Sequence, residues 1–296
     1  FWQPIMNLGN IFNNFINNIA YLERIFETID EPVTVKDAEN AKEMPKIQGK
    51  VTFDHVKFAY DETKTILKDV SFTVQPGESV ALVGPTGAGK STIVNLISRF
   101  YNVDSGRVLI DGQDISDVTI HSLRSQMGIM MQDSFIFSGT IGDNIRYGKL
   151  TASEEEIQKA SRIVCADEFI SRMPGGYDTE VRERGSMLSQ GQKQLISFAR
   201  TLLSDPSILI LDEATSSIDV QTEKALQTGL NAMLQGRTSF IIAHRLSTIK
   251  TCDRILYIGN KGILEQGSHG ELLGKRGLYY DLYTAQAREQ GALGVS

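Results

Sequence analysis

The stretch SVALVGPTGAGKSTIVNLISRF, residues 79–100, constrains the fold of this chain more than any other. An apolar run precedes a glycine-rich loop, and a helical pattern of apolar residues follows it. Gly84 to Thr92 fits the pattern G-x-x-x-x-G-K-[ST], in which backbone N–H groups and a helix N-terminus surround phosphate groups. Lys90 would supply a positive charge to the β- and γ-phosphates, and the Ser91 hydroxyl would face Mg²⁺. We therefore predict a strand–loop–helix unit that binds a nucleotide.

Composition narrows the class of protein further. With 296 residues, 41% of them apolar, the chain can form one large domain or two smaller ones. A net charge of −6 argues against general nucleic-acid binding, which needs a basic surface. Cys165 and Cys252 stand apart, with no CxxC pattern, and are expected to be ordinary reduced thiols. The sequence has no signal peptide and no apolar run long enough to span a bilayer, and its start at Phe1 suggests a piece of a longer protein.

The first thirty residues carry a heptad pattern that predicts one long helix. Apolar residues follow one another at alternating spacings of four and three: Phe1, Ile5, Leu8, Phe12, Phe15, Ile19, Leu22 and Phe26. The pattern fits an amphipathic helix packed on its own domain, or the cytoplasmic end of a helix that continues upstream from a membrane. Residues 31–49 read as a polar linker. The remaining chain is predicted to be one domain over residues 50–288, with a tail at 289–296.

Two kinds of β segment follow the linker. VTFDHVKFAY and VSFTV predict an antiparallel pair, whereas from Glu78 onward strands alternate with helices. Those strands are SVALVG, RVLIDG, GIMMQ, SILILDE, TSFIIAH and RILYIG, and they indicate a mostly parallel sheet covered on both faces. Between about residues 138 and 205 strand signals disappear, and a capping box from Ser153 to Glu156 opens a helix. We predict an α/β fold: a P-loop NTPase core with an antiparallel β subdomain and an inserted helical subdomain, preceded by a long helix.

Polar side chains at strand ends form the candidate chemistry beside the loop. ILILDE ends in two acids: Asp212 suits a Mg²⁺ site, and Glu213 is placed to polarise water as a base. Gln132 ends another strand, where its amide could reach Mg²⁺ or the attacking water, although such a residue is often just surface. His244 follows a third strand and is expected to contact the γ-phosphate. Lys90, Gln132, Glu213 and His244 are thus the candidate catalytic residues, and Ser91, Gln132 and Asp212 the candidate metal ligands.

Two further features are open to more than one interpretation. Tyr60 closes the segment FAY, and its ring could stack on adenine or pack in the core. MLSQGQKQLISFAR, residues 187–200, predicts a helix with Ser189 as N-cap, which is a second phosphate-binding helix start. Nothing local explains why the chain would need two such sites.

Taken together and in this order, these motifs resemble the nucleotide-binding domain of the ABC transporter family over about residues 50–285. Tyr60 matches the adenine-stacking position, Gln132 the Q-loop, Asp212 and Glu213 the Walker B pair, and His244 the switch histidine. Leu188 to Gln192 resembles the family signature, and SSID, residues 216–219, the D-loop. TEVRERG, residues 179–185, resembles the loop that exporter-type members place against their membrane helices. In one departure, Gln190 replaces the first of two adjacent glycines of the signature.

The resemblance implies that ATP, with Mg²⁺, lies between two such domains. One domain would bind it through Tyr60, Gly84, Pro85, Thr86, Gly87, Ala88, Gly89, Lys90, Ser91 and Thr92, and the other in trans through Ser189, Gln190, Gly191, Gln192 and Asp219. It also implies a homo- or heterodimer, membrane-spanning domains as partners, and a location at the cytoplasmic face of a membrane, with ATP hydrolysis driving export. A nucleic-acid partner is not expected.

Other functions fit the motifs less well. A soluble ABC-type ATPase of DNA repair or translation is the main alternative, but such proteins usually carry long coiled-coil insertions or tandem domains. A non-hydrolysing ATP-gated module would not need Glu213. A GTPase would need N-K-x-D, and GNKGI at residues 259–263 has no such aspartate.

Overall fold

A computed structural model describes residues 2–61, 63–131, 135–182, 185–212, 220–243 and 245–289. Its strands are β1 (Val51–Ala59), β2 (Thr65–Val74), β3 (Ser79–Val83), β4 (Ser105–Ile110), β5 (Gln113–Asp114), β6 (Met127–Met130), β7 (Gly139–Thr140), β8 (Glu180–Val181), β9 (Ile208–Asp212), β10 (Thr238–Ile242), β11 (Arg254–Gly259) and β12 (Gly262–Gly267). Its helices are α1 (Trp2–Ile29), α2 (Lys90–Ile97), α3 (Ile120–Arg124), α4 (Ile141–Arg146), α5 (Glu154–Ile163), α6 (Asp167–Ile170), α7 (Gln190–Leu203), α8 (Val220–Leu234), α9 (Leu246–Thr251), α10 (His269–Lys275) and α11 (Leu278–Glu289).

A six-stranded sheet in the order β12-β11-β3-β10-β9-β6 forms the centre of the α/β core. Every neighbouring pair is parallel except β11 and β12, which are antiparallel. All residues of β3 and β10 are buried, because the continuous apolar runs of these strands are covered on both faces of the sheet. This confirms the predicted mostly parallel sheet.

A second sheet, in the order β2-β1-β4-β5, is antiparallel and confirms the predicted β subdomain. Its membership corrects one assignment. RVLIDG was expected among the strands of the parallel sheet, but β4 pairs with β1, with Phe53 opposite Val108. The apolar residues of RVLIDG fit either sheet, and the pairing with β1 is a non-local choice that its pattern does not encode.

The segment between β6 and β9 is mainly helical, as predicted, and contains α4 to α7. It also contains a pair of two-residue strands, β7 and β8, which the sequence analysis did not anticipate. Capping boxes open α4, α5 and α7, with Thr140, Ser153 and Ser189 as N-caps. The predicted caps at Ser153 and Ser189 are therefore confirmed.

Helix α1 belongs to a separate unit, residues 1–36, and the rest of the chain forms a second unit. All of its 28 residues are exposed, including the apolar heptad positions. The helix predicted from the heptad pattern is confirmed. Among the residues that the model describes, no helix has both the length and the apolarity needed to cross a membrane.

Residues 37–50, called here the docked segment, belong to the second unit and are held in it by polar side chains. The Asp37 carboxylate accepts a hydrogen bond from Ile120 N at 2.8 Å, and Ser122 Oγ accepts one from Met44 N at 2.8 Å. Gln126 holds Ile47 N at 2.8 Å, and the Asp111 carboxylate accepts from three successive N–H groups, those of residues 48–50. The docked segment is therefore bound along α3 and near the start of β6.

Candidate nucleotide-binding site

The loop between β3 and α2 has a backbone that requires glycine. Gly84 has a φ of +133°, and a Cβ atom there would lie 2.1 Å from the carbonyl oxygen of Ile258 in β11. Gly89 is left-handed and precedes α2 without a side-chain cap. The loop therefore presents backbone N–H groups and the N-terminus of α2, which is the arrangement that binds phosphates.

Lys90 lies across this loop. Its ammonium donates hydrogen bonds to the carbonyl oxygens of Gly84 at 2.8 Å and Pro85 at 2.9 Å. Burial lowers the pKa of Lys90 below its ordinary value, and the nearby negative charge of Asp212 acts in the opposite direction. The lysine and the carboxylate therefore lie close enough to interact electrostatically, although they are 122 positions apart in the sequence.

The sheet explains how they meet. Ile242 of β10 pairs with Leu82 of β3 on one side and with Asp212 of β9 on the other. On the far side of β9, Met130 of β6 pairs with Leu211. Because these four strands are parallel, their carboxyl ends lie along one edge, beside the phosphate loop. Gln132, Glu213 and His244, which follow β6, β9 and β10 in the chain, lie outside the described residues.

Ser91 and Asp212 are the described candidates for a metal site. Ser91 is exposed at the first turn of α2, and Asp212 is partly exposed at the end of β9. A hydroxyl and a carboxylate are hard oxygen ligands of the kind that Mg²⁺ prefers, usually together with waters and substrate phosphates. The donor set therefore fits Mg²⁺ bound with a nucleotide.

Tyr60 lies between the antiparallel sheet and α2. Its ring makes edge contacts with Phe58 and Tyr101, with centroids 4.9 and 5.0 Å away, and its hydroxyl lies 3.1 Å from Thr92 Oγ1. The residue nevertheless remains 47% exposed. Tyr60 thus packs against aromatic neighbours and also presents ring surface next to the helix that carries the phosphate loop.

The start of α7 has the geometry expected of a second anion site. Ser189 Oγ accepts a hydrogen bond from Gln192 N at 3.2 Å, and Gln192 Oε1 accepts one from Ser189 N at 2.9 Å. Gln190 begins the helix, and Gly191 is buried in its first turn. Asp219, the other residue expected to act in trans, lies outside the described residues.

Sequence reasoning missed a cluster around Arg200 of α7. The guanidinium donates to the carbonyl oxygens of Asn144 at 2.8 Å and Phe135 at 3.0 Å, and lies over the rings of Phe137 and Tyr147. Burial lowers the pKa of Arg200. Phe135, Phe137 and Tyr147, called here the aromatic surface, remain 40–52% exposed. The segment FIF was the available signal, but its partners come from two other elements.

The TEVRERG loop borders the aromatic surface. Thr179 O accepts a hydrogen bond from Ile141 N at 3.1 Å, and Gly185 packs against Ile136, between the two exposed phenylalanines. The loop and the aromatic surface are therefore parts of one region of the helical segment, and Glu183 and Arg184 lie outside the described residues.

A phosphate loop on β3, a carboxylate at the end of β9 and a helical segment inserted between β6 and β9 define a P-loop NTPase of the ABC type. The family model described as "ABC transporter" matches residues 67–216. The chain belongs to the ABC transporter family.

Similar proteins and structures agree. The uncharacterized ABC transporter ATP-binding protein YknV of Bacillus subtilis is 54% identical over 286 residues, which are 97% of this chain and 47% of that protein. A fatty acid ABC transporter ATP-binding/permease protein of Mycobacterium bovis is 46% identical over 285 residues, 96% of this chain and 45% of that protein. A bacterial Atm1-family ABC exporter with ATP bound has a TM-score of 0.83 at 45% identity, covering 97% of this chain and 50% of that one.

The chain thus spans about half the length of the relatives that it matches. It corresponds to the ATP-binding domain of an ABC transporter. The similarities to permeases and to an exporter do not favour a soluble ATPase of DNA repair or translation.

Proposed function

We propose that this chain is the motor domain of an ABC exporter that hydrolyses Mg²⁺-bound ATP to drive a substrate across a membrane. The register of Leu82, Ile242 and Asp212 across three parallel strands is the observation that carries this proposal. The charge of Asp212 also acts on Lys90, which follows the first of these strands, and a site for a triphosphate and its metal needs charges of both signs. Similarity to an ATP-bound exporter and to an ATP-binding/permease protein supports the coupling to export.

The roles within one domain follow from charge and position. Lys90 binds the β- and γ-phosphates, and the backbone N–H groups of residue 84 and of residues 86–92 surround the phosphate chain. Ser91 and Asp212, with Gln132, hold Mg²⁺, which supplies charge neutralisation of the phosphates when bound. Glu213 accepts a proton from the attacking water, and His244 contacts the γ-phosphate.

A second copy of the domain, or a related one, completes the site. The capped start of α7, with Ser189, Gln190, Gly191 and Gln192, binds the ATP held by the partner, and Asp219 contributes from the same side. This explains two phosphate-binding helix starts in one chain. Each ATP then joins two domains, so that closure depends on nucleotide and is lost after hydrolysis.

Membrane-spanning domains are the other proposed partners. The aromatic surface, which the TEVRERG loop borders, is an exposed apolar region of a kind that marks interaction sites. Helix α1 presents an exposed apolar stripe and is proposed as the cytoplasmic end of a membrane helix. The domain would accordingly lie at the cytoplasmic face of a membrane.

The test of this proposal is Glu213→Gln. Removing the base while keeping the shape should leave Mg²⁺–ATP binding intact, reduce turnover by about 10²-fold or more, and accumulate an ATP-bound dimer. Turnover is measured by phosphate release and dimers by sizing with and without ATP. Lys90→Met in the same background serves as a control, and it should abolish nucleotide binding and the dimer together. Turnover of Glu213→Gln at the wild-type rate would remove Glu213 from its assigned role.

A further inference from the structure

A partly buried ion pair joins two elements that follow neighbouring strands. Arg245 binds both carboxylate oxygens of Glu223 through Nη1. Glu223 lies in the first turn of α8, and Arg245 is the residue that precedes α9. Their side chains are 17% and 37% exposed, against 68% and 63% for the surface pair Arg172–Glu168. Water therefore screens Arg245–Glu223 less than an ordinary surface pair.

The position of this pair in the chain gives it a functional meaning. Arg245 is bonded to residue 244, which follows β10. Glu223 lies four residues after residue 219, in the helix that follows β9 and the segment 213–219. Since β9 and β10 are neighbours in the sheet, the pair ties together the chain segments that leave their adjacent carboxyl ends.

We propose that Arg245 and Glu223 are positioning residues that couple the two ATP sites of the dimer. This rests on the proposed function, in which His244 contacts the γ-phosphate of the chain's own site and Asp219 reaches the partner's nucleotide. The ion pair fixes the start of α9 relative to the start of α8. A displacement of His244 by the γ-phosphate of the ATP bound to the same chain is thereby transmitted to α8 and to Asp219. A displacement of Asp219 by the partner's nucleotide is transmitted to His244 in the same way.

The geometry suits such a coupling. Both oxygens of one carboxylate bind one guanidinium nitrogen, so the pair resists sliding of α8 against α9 more than a single contact would. Glu223 is also favoured where it lies, because a negative charge in the first turn of a helix interacts well with the helix dipole. Neither side chain is expected to touch the nucleotide, since each acts through its neighbours along the chain.

Charge reversal tests the proposal. In Arg245→Glu and in Glu223→Arg, two like charges face each other, and we expect kcat to fall about tenfold and the Hill coefficient for ATP to approach 1. The affinity of the monomer for ATP should stay within about twofold, because neither residue of the pair belongs to the set proposed to bind the nucleotide within one domain. The double variant Arg245→Glu, Glu223→Arg restores the attraction, and both kcat and the Hill coefficient should recover to within about threefold of wild type.

Two controls separate coupling from general stability. The same charge reversals at Arg172 and Glu168 are made in an exposed surface pair and should leave both kcat and the Hill coefficient unchanged. Glu223→Gln keeps the shape of the side chain, and thermal unfolding of every variant shows whether a loss of activity is a loss of fold. A folded Glu223→Gln should still show the lower Hill coefficient.

The outcomes are distinct. Wild-type cooperativity in the folded single variants, or a double variant as impaired as the singles, would overturn the coupling role while leaving the proposed function intact. If the wild-type chain itself showed neither hydrolysis nor an ATP-dependent dimer, the proposed function would fail first.

Discussion

The Tyr60 ring contacts Phe58 and Tyr101 at its edges, while its hydroxyl reaches Thr92 at the start of α2. Sequence alone left two interpretations of this residue, packing and stacking on adenine. The contacts show that packing holds the ring in place, and the exposure of nearly half the residue leaves surface for a ligand. The ring can therefore both pack against its neighbours and stack on adenine. Comparing ligands with and without a base shows whether stacking contributes to binding.

Tyr60→Leu should raise the Kd for ATP about tenfold, because stacking of a base on an aromatic ring is worth about 1–3 kcal/mol. The Kd for tripolyphosphate, which has no base, should not change. Tyr60→Phe keeps the ring, loses the bond to Thr92 and should stay within about threefold of wild type for both ligands. Isothermal titration measures all three proteins, and equal losses of ATP and tripolyphosphate affinity in Tyr60→Leu would indicate a packing role alone.

At the scale of elements, the start of α7 has two roles: its N-cap stabilises the helix, and it is proposed to bind a partner's phosphate. Ser189 caps the helix through the same oxygen that would face a partner's phosphate. Ser153 caps α5 with the same capping-box geometry and has no proposed ligand. The two serines therefore form a matched pair in which only the ligand role differs.

Ser189→Ala and Ser153→Ala should each cost about 1 kcal/mol in the free energy of unfolding, since each removes one N-cap. In the Glu213→Gln background, only Ser189→Ala should weaken the ATP-dependent dimer. Denaturant titration gives the first quantity and sedimentation at several protein concentrations gives the second. Equal effects of both substitutions on the dimer would mean that helix stability, not phosphate contact, controls association.

The docked segment depends on one close approach of backbone to side chain. Gly49 has a φ of +112°, and a Cβ atom there would lie 2.2 Å from Thr238 Oγ1. That hydroxyl donates to Gly49 O at 2.8 Å and accepts from Gly77 N at 3.0 Å. Gly77 also has a positive φ, +78°, but a Cβ atom there would meet nothing within 4 Å.

Gly49→Ala should therefore destabilise the fold by about 3 kcal/mol, from backbone strain plus a displaced Thr238, whereas Gly77→Ala should cost only about 1 kcal/mol of strain. Chemical denaturation of both variants measures the difference. Similar losses in the two proteins would show that the contact with Thr238 contributes little.

Local patterns account for what the sequence could predict about these elements. The phosphate loop, the helix caps and the heptads of α1 each depend on residues that are close together in the sequence, so the sequence predicts them. Strand RVLIDG was assigned to the wrong sheet because its partner β1 lies some fifty residues earlier. The bonds of the docked segment to Asp111, Ser122 and Gln126, and of Arg200 to Asn144, join residues 56–79 positions apart, and no local pattern signals them.

For the candidate site, too, local patterns predicted individual residues but not how those residues are arranged in space. Strand ends could be assigned from apolar runs that stop at a polar residue, which led to Asp212. The order in which the strands lie side by side, with β10 between β3 and β9, is a property of the assembled sheet. The ion pair of Arg245 with Glu223 was not anticipated either, because a charged residue after a strand and another on a helix give no sign of pairing.

On the scale of the whole molecule, the parallel sheet brings together groups that are far apart in sequence. The strand before His244 lies between the strand before the phosphate loop and the strand that ends in Asp212. A displacement of any one of these three strand ends therefore changes the contacts of an adjacent strand. The helical segment enters the chain between β6 and β9, so the capped start of α7 is connected by sequence to the same edge.

The chain between the end of α1 and the docked segment is short. Helix α1 ends at Ile29, and the docked segment begins at Asp37, whose carboxylate accepts a hydrogen bond from Ile120 N. Eight Cα–Cα steps connect these residues, and a fully extended chain covers at most about 3.6 Å per step, or about 29 Å. Residues 30–36 are thus a short tether. The seven residues between Ile29 and Asp37 therefore set an upper limit on the distance between these two residues.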